Sequence, residues 1–185
     1  EVQKRDRKRM ISAIVFIEVA ALLLSFTYCI KKLSNKEIRH KIILGSLILI
    51  YTSVYGYFYY YIPTEIYTIL TILMTALIAK FFMNMNNKDC LFYVTITWLI
   101  AIILDIVTMN VMNKIFNKND LLGRIIGTGI VILIYYIISN CKYFVNKISI
   151  LKKHAAKIDF SYYKLILIVL LYFVLGSLCL KNMED

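Results

Sequence analysis

Residues 91–112, LFYVTITWLIAIILDIVTMNVM, form a run of 22 residues with a single ionisable side chain, Asp105. A helix rises about 1.5 Å per residue, so such a run reaches across a hydrocarbon core of about 30 Å. A carboxylate inside it costs about 2.5–3.5 kcal/mol on insertion scales, so Asp105 is expected to face protein, water or a counter-charge and not lipid. Apolar runs at 11–30, 42–62, 65–83, 121–139 and 162–180 alternate with short polar joints. The expected fold class is therefore all-α, a polytopic membrane helical bundle with about six transmembrane helices. With 61% of the 185 residues hydrophobic and a mean hydropathy of +0.72, little chain is left for a soluble domain.

The formal charge of +11 raises nucleic acid as a partner in a soluble protein, but here Lys and Arg cluster at the ends of apolar runs. That placement fits anchoring to anionic membrane lipid better than nucleic-acid binding. Between the fifth and sixth runs, residues 142–158 place Phe144, Ile148, Leu151, Ala155 and Ile158 at spacings of four and three. Lys147, Lys152, Lys153 and Lys157 lie among them. This predicts a basic interfacial amphipathic helix. The odd-numbered connections and Lys80 hold thirteen Lys/Arg against nine on the other side, or four without residues 1–9. The excess assigns the odd-numbered loops to the cytoplasm of a multi-pass protein of the cell membrane, with both termini outside. A basic stretch outside is disfavoured. Residues 1–9, EVQKRDRKR, are therefore set apart as a tail of non-native or upstream origin, and 10–185 as the transmembrane domain. The first apolar run has no A-x-A-like site after it, so it is not read as a secretory signal.

Catalytic signatures are absent: the chain has no HExxH, GxSxG, P-loop or Gly-rich dinucleotide turn. Cys29, Cys90, Cys141 and Cys179 form no CxxC and no cluster with histidine, so neither a disulfide framework nor a metal site is expected, and the four read as small apolar fillers. No cofactor is implied. His40 and His154 sit in basic joints and read as surface residues. The residues that invite a function are polar ones inside apolar runs. Glu18 and Asp105 are expected to pair with each other, with Arg124 or with Lys80, and to couple ligand binding to helix movement. The plainer alternative is structural glue, each carboxylate bonding to a neighbouring Thr or Asn. Tyr59, Tyr60 and Tyr61 fit an aromatic belt at the water interface, but Tyr51 and Tyr55 lie one to three turns deeper. Those two are expected to line an aromatic pocket for an apolar peptide. Trp98 lies mid-span and should face the bundle, where its N–H needs a partner. Gly123 and Gly127 make a GxxxG pair that permits close helix approach.

Taken in order, the chain presents VFIEVAALLLSF, a KK-rich turn, a tight hairpin around Pro63 and a span ending ILDIVTMNVMNKIF. After these come YYIISNCKYFVNKISILKK and a final LILIVLLYFVLGSL. This layout resembles the membrane sensor domain of peptide-pheromone histidine kinases of the accessory gene regulator type, found in low-GC Gram-positive bacteria and carrying GHKL-class kinases. The resemblance covers residues 10–182. It implies a homodimeric receptor that senses a secreted quorum-sensing peptide and relays it through a two-component system to a cytoplasmic histidine kinase. These 185 residues do not include that kinase, and family members commonly have one more span after the sixth. The peptidase that matures such pheromones uses a closely spaced His and Cys, a spacing this chain lacks. A small transport component or an accessory membrane protein is the alternative reading, though six glycines are few for a close-packed transporter.

Overall fold

The computed structural model of the chain describes residues 2–59, 61–115 and 121–155. Side chains are described throughout these except at 2–9, 64–65, 109–110, 113–114, 121, 124 and 155. Six α-helices follow one another: α1 Val2–Ser34, α2 Lys41–Phe58, α3 Thr64–Leu77, α4 Asn87–Ile115, α5 Leu121–Asn140 and α6 Lys142–Ala155. A π-helical turn, Ile78–Phe82, prolongs α3. There is no strand among the described residues.

Helix α1 is the axis of the bundle. It packs against α2, α4 and α5 and also meets α3 and α6. Val15, Val19, Leu23, Phe26, Ile30 and Leu33 recur at spacings of four and three, and all are buried. That is the seam spacing of helices crossing at a shallow angle. Two glycines set how closely neighbours approach. A Cβ on Gly56 of α2 would lie 3.2 Å from the Ser12 carbonyl oxygen and 3.4 Å from Phe16 Cβ on α1. One on Gly127 of α5, in the predicted GxxxG pair, would lie 3.3 Å from Thr108 Cγ2 on α4, so this glycine sits at a helix contact.

The outward faces are those of a protein in lipid. Ile50 and Val54 of α2, Leu73 of α3, Ile103, Ile106 and Val107 of α4 are exposed, whereas Thr52, Thr75, Thr97 and Ser139 are buried. Among the described residues three helices are long and apolar enough to cross a membrane: Met10–Ser34, Lys41–Phe58 and Asn87–Thr108. This is the build of a membrane protein.

The sequence pattern predicts six spans, and the structure differs at two of them. The run at 65–83 becomes a shorter apolar helix, Ile66–Phe82. Pro63, not Thr64, holds the N-cap position, with no side-chain cap, and the π turn takes the last five residues. The run at 121–139 is helical in α5, but its most apolar part, Ile125–Asn140, is continued by Lys142–His154 at a bend of 73°. The two form one bent pair instead of a clean span followed by a free surface helix. The run at 162–180, with Cys179, lies outside the described residues. Residues 2–9, set apart in sequence as a tail, continue α1 as helix.

The odd-numbered connections gather at one end of the bundle. The Arg39 N–H donates to the Phe82 carbonyl at 2.7 Å, which ties the first connection to the end of the π turn. Asn35, His40 and Asn84 adopt φ of 53°, 50° and 49° to make these turns, a conformation that Asn and His enter more readily than most residues. Helix α6 closes this end. Ile148 is buried against the bundle, while Lys147 and Lys153 are exposed. Lys152 turns inward, pairing with Asp89 at 2.9 Å and lying 5.2 Å over the Tyr93 ring on α4. Leu151, on the same predicted apolar side, is exposed, so that side of α6 is divided between the bundle and the outside. Cys29 and Cys90 are buried as expected of fillers. Cys141, at the bend, is exposed and fills nothing.

Candidate functional site

A crevice of about 630 Å³ runs between α3 and α4 over the face of α1. Its lining on α4 extends from Asn87 to Asp105, a length of roughly 27 Å at the helical rise. Lys80, from the π turn, and Asn87 line one end, and Asp105 lines the other. The walls between are largely apolar: Leu22 and Phe26 of α1, Ile69, Ile72 and Ala76 of α3, Val94, Trp98 and Ala101 of α4. Near the Lys80 end, the Cys90 Sγ donates to the Ala76 carbonyl at 3.4 Å, holding α4 to α3. A mostly apolar cleft of this volume with a few placed polar groups is the ordinary form of a ligand site.

Trp98 faces the bundle as its mid-span position predicts, its ring edge-on to Phe26 with centroids 5.1 Å apart. Its Nε1–H is buried yet has no acceptor among the described residues. A buried unsatisfied donor costs about 1–3 kcal/mol, and the Nε1–H is closed off from the crevice by the side chains packed around it.

The two deep tyrosines of α2 separate in role. Tyr51, Tyr55 and Tyr59 step along one face of the helix, with ring centroids 6.3 and 6.4 Å apart. Tyr55 lies over Tyr67 of α3 at 4.0 Å and lines the crevice. The Tyr51 hydroxyl bonds to Thr71 Oγ1 at 2.8 Å. Thr71 gives its own proton to the Tyr67 carbonyl at 2.7 Å, so Tyr51 is the donor and clamps α2 to α3. Tyr51 is therefore a structural clasp outside the crevice. Tyr67 and Thr71 were not singled out in the sequence, although their spacing of four matches that of Tyr51 and Tyr55 on the facing helix.

The two carboxylates are also separated. Glu18 is 8% exposed and turned toward α5, where Thr128 Oγ1 donates to its Oε1 at 3.4 Å. Asp105 is exposed at its end of the crevice and makes no ion pair among the described residues. The expected pairing of Asp105 with Glu18 is not formed, and Lys80 lies at the opposite end of the crevice. The first follows from helix phase, since Glu18 turns toward α5 while Asp105 lines the crevice, and the second from position along the bundle. The side chain of Arg124 lies outside the described residues.

Behind the crevice wall a second set of contacts joins α1, α4 and α5. The Tyr135 hydroxyl donates to the Thr97 carbonyl at 2.6 Å, and Ser139 Oγ donates to the Tyr135 carbonyl at 2.6 Å. Phe26 touches both Trp98 and Tyr135, at centroid distances of 5.1 and 5.2 Å. Phe26 thus links the crevice wall to α5. Among the described residues no group of His, Cys, Asp and Glu has the arrangement of a metal centre.

No family model, curated protein or solved structure matches this chain.

Proposed function

We propose that this chain is the membrane-embedded sensor portion of a receptor for a secreted, largely apolar peptide, and that the crevice between α3 and α4 is its binding site. The observation that carries the reading is the crevice itself, whose largely apolar lining includes Tyr55, Trp98 and the exposed Asp105. A peptide matches this set: its apolar side chains fill the walls, a carbonyl accepts from Trp98 once its indole turns toward the crevice, and an amine answers Asp105. In a low-dielectric setting such a charge-assisted bond is stronger than a neutral one. The grouping of the basic connections at one pole supports a multi-pass arrangement with that pole cytoplasmic. Asp105 then lies in the outer half, where a secreted ligand arrives. Helix α1 contacts every other helix and so is placed to carry the bound state to the cytoplasmic side. The layout likeness to pheromone sensor domains supports a homodimer that relays to a histidine kinase.

Trp98 is the single tryptophan of the chain, so its fluorescence reports on the crevice alone. Purified protein titrated with apolar peptides bearing a free amine should show a saturable change in emission. Asp105→Asn should weaken that response about fivefold to tenfold, and acetylating the amine should do the same to the unsubstituted protein. Emission that stays constant across the peptide set, or an Asp105→Asn variant that responds normally, would refute the reading.

A further inference from the structure

A second groove of about 480 Å³ lies on the opposite flank of α1, between α2 and α5. Its walls are Leu24 and Tyr28 of α1, Leu44 and Ile48 of α2, and Ile132 and Tyr136 of α5. Gly45 forms part of its lining, and a Cβ built there would meet nothing within 4 Å, so this part of the groove is open space. The groove faces the apolar outer surface, with Leu24, Ile42 and Ile43 exposed beside it. One end is polar. Lys41 lines it, Tyr28 and Tyr136 stack at 5.8 Å, and Lys32 Nζ lies 5.6 Å over the Tyr28 ring. The Tyr28 hydroxyl donates to Asn140 Oδ1 at 3.1 Å, which fixes the ring at the mouth. Glu37 is the nearby carboxylate; it pairs with Lys31 at 3.0 Å, and its charge reaches Lys41 and Lys32 more weakly. The mouth therefore keeps two cations, Lys32 and Lys41, beside an apolar channel at the basic pole.

We infer that this groove seats one anionic phospholipid, an acyl chain lying along Leu44, Gly45 and Ile48 and the phosphate between Lys41 and Lys32. Charge complementarity decides the headgroup. The depth of the channel into the apolar zone decides for a lipid over a free phosphate. The site needs only that the bundle lies in a bilayer, and it stands whether or not the crevice on the other flank takes a peptide.

The test is native mass spectrometry of the full chain after exchange from micelles holding equal phosphatidylglycerol and phosphatidylcholine. The expected result is one retained lipid with phosphatidylglycerol in excess. Replacing both lysines (K32Q/K41Q) should cut that excess about fivefold per lysine. Gly45→Phe should lower retention of both lipids by filling the channel. A K147Q/K153Q control on the exposed side of α6 should keep the excess, and inorganic phosphate should displace no lipid. Equal retention of the two lipids would overturn the assignment. So would a control that loses the excess as K32Q/K41Q does, or displacement by phosphate alone. Lys32 and Lys41 are exposed, so their glutamine variants keep the test decisive even if Gly45→Phe does not fold. The Trp98 response to peptide should persist in K32Q/K41Q, so failure of either site is seen separately.

Discussion

Tyr135 offers a direct measure of how the bundle is held together. It is fully buried, its ring meets Phe26 at 5.2 Å, and its hydroxyl donates to the Thr97 carbonyl at 2.6 Å. Two substitutions separate the hydroxyl from the ring. Tyr135→Phe removes the interhelical hydrogen bond alone. Such bonds average about 0.6 kcal/mol in membrane proteins and reach about 1.7, and the short contact places this one toward the upper part, at about 1 kcal/mol. Tyr135→Ala also removes a ring of about 100 Å³, which at roughly 24 cal/mol per Å³ of unfilled cavity adds about 2.4 kcal/mol. In total the alanine variant should lose about 3 to 4 kcal/mol. Trp98, one ring away through Phe26, reports the transition by fluorescence as a mild detergent is titrated with a denaturing one. The reasoning fails if the phenylalanine variant loses as much as the alanine variant, because the ring would then contribute nothing. It fails equally if both match the unsubstituted protein.

Three further outcomes follow from individual contacts. Gly56→Leu should separate α2 from α1 and cost about 1–3 kcal/mol in the same detergent titration, because the Ser12 carbonyl 3.2 Å from a Cβ is fixed backbone. Lys152→Gln should free α6 from Asp89 and Tyr93. Because the pair is partly exposed, the loss is about 1 kcal/mol or less, seen as up to fivefold faster hydrogen exchange within residues 142–155 and nowhere else. Glu37 receives a hydrogen bond and the charge of Lys31, which hold its carboxyl below the ordinary glutamate range. A depressed folded pKa means the pair stabilises above the unfolded value and is lost as pH falls through the folded one. Carbon NMR of Glu37 should therefore show a low midpoint that returns to the usual range in Lys31→Gln.

The helical class and the positions of most helices were legible because runs of apolar residues leave little else to form. Helix α4 matches the run at 91–112 with a polar extension at each end, and α2 begins at the basic joint that precedes its run. Facing was harder to read. In a run where nearly every residue is apolar, hydropathy carries no phase, so it does not say which side of the helix meets protein. Asp105 and Glu18 looked equivalent on this basis, and Tyr51 looked like Tyr55. What separates them is packing: Gly56 brings α2 against α1, and Tyr67 and Thr71 divide the two tyrosines between a clasp and the crevice. The α5–α6 bend was hidden for a different reason. The basic face of α6 looked like a lipid-facing surface, but one of its lysines is spent on Asp89, 63 residues earlier in the chain.

The buried threonines carry the phase that hydropathy lacks. Thr27, Thr52, Thr71 and Thr75 each donate to the carbonyl four residues before, and all four are buried. In lipid a hydroxyl satisfied within its own helix costs little, and its small bulk lets neighbours come close. Leu and Ile lie on the lipid side in their place, as Leu49, Ile50, Leu73 and Leu77 do on the same helices. Thr71 and Thr75 thus mark the protein-facing side of α3, and Thr97 and Thr108 mark that of α4. Asp105 does not share the burial of Thr108, three residues on. Under the proposed function, this exposed carboxylate at the end of the apolar crevice is the group that a ligand's amine would meet.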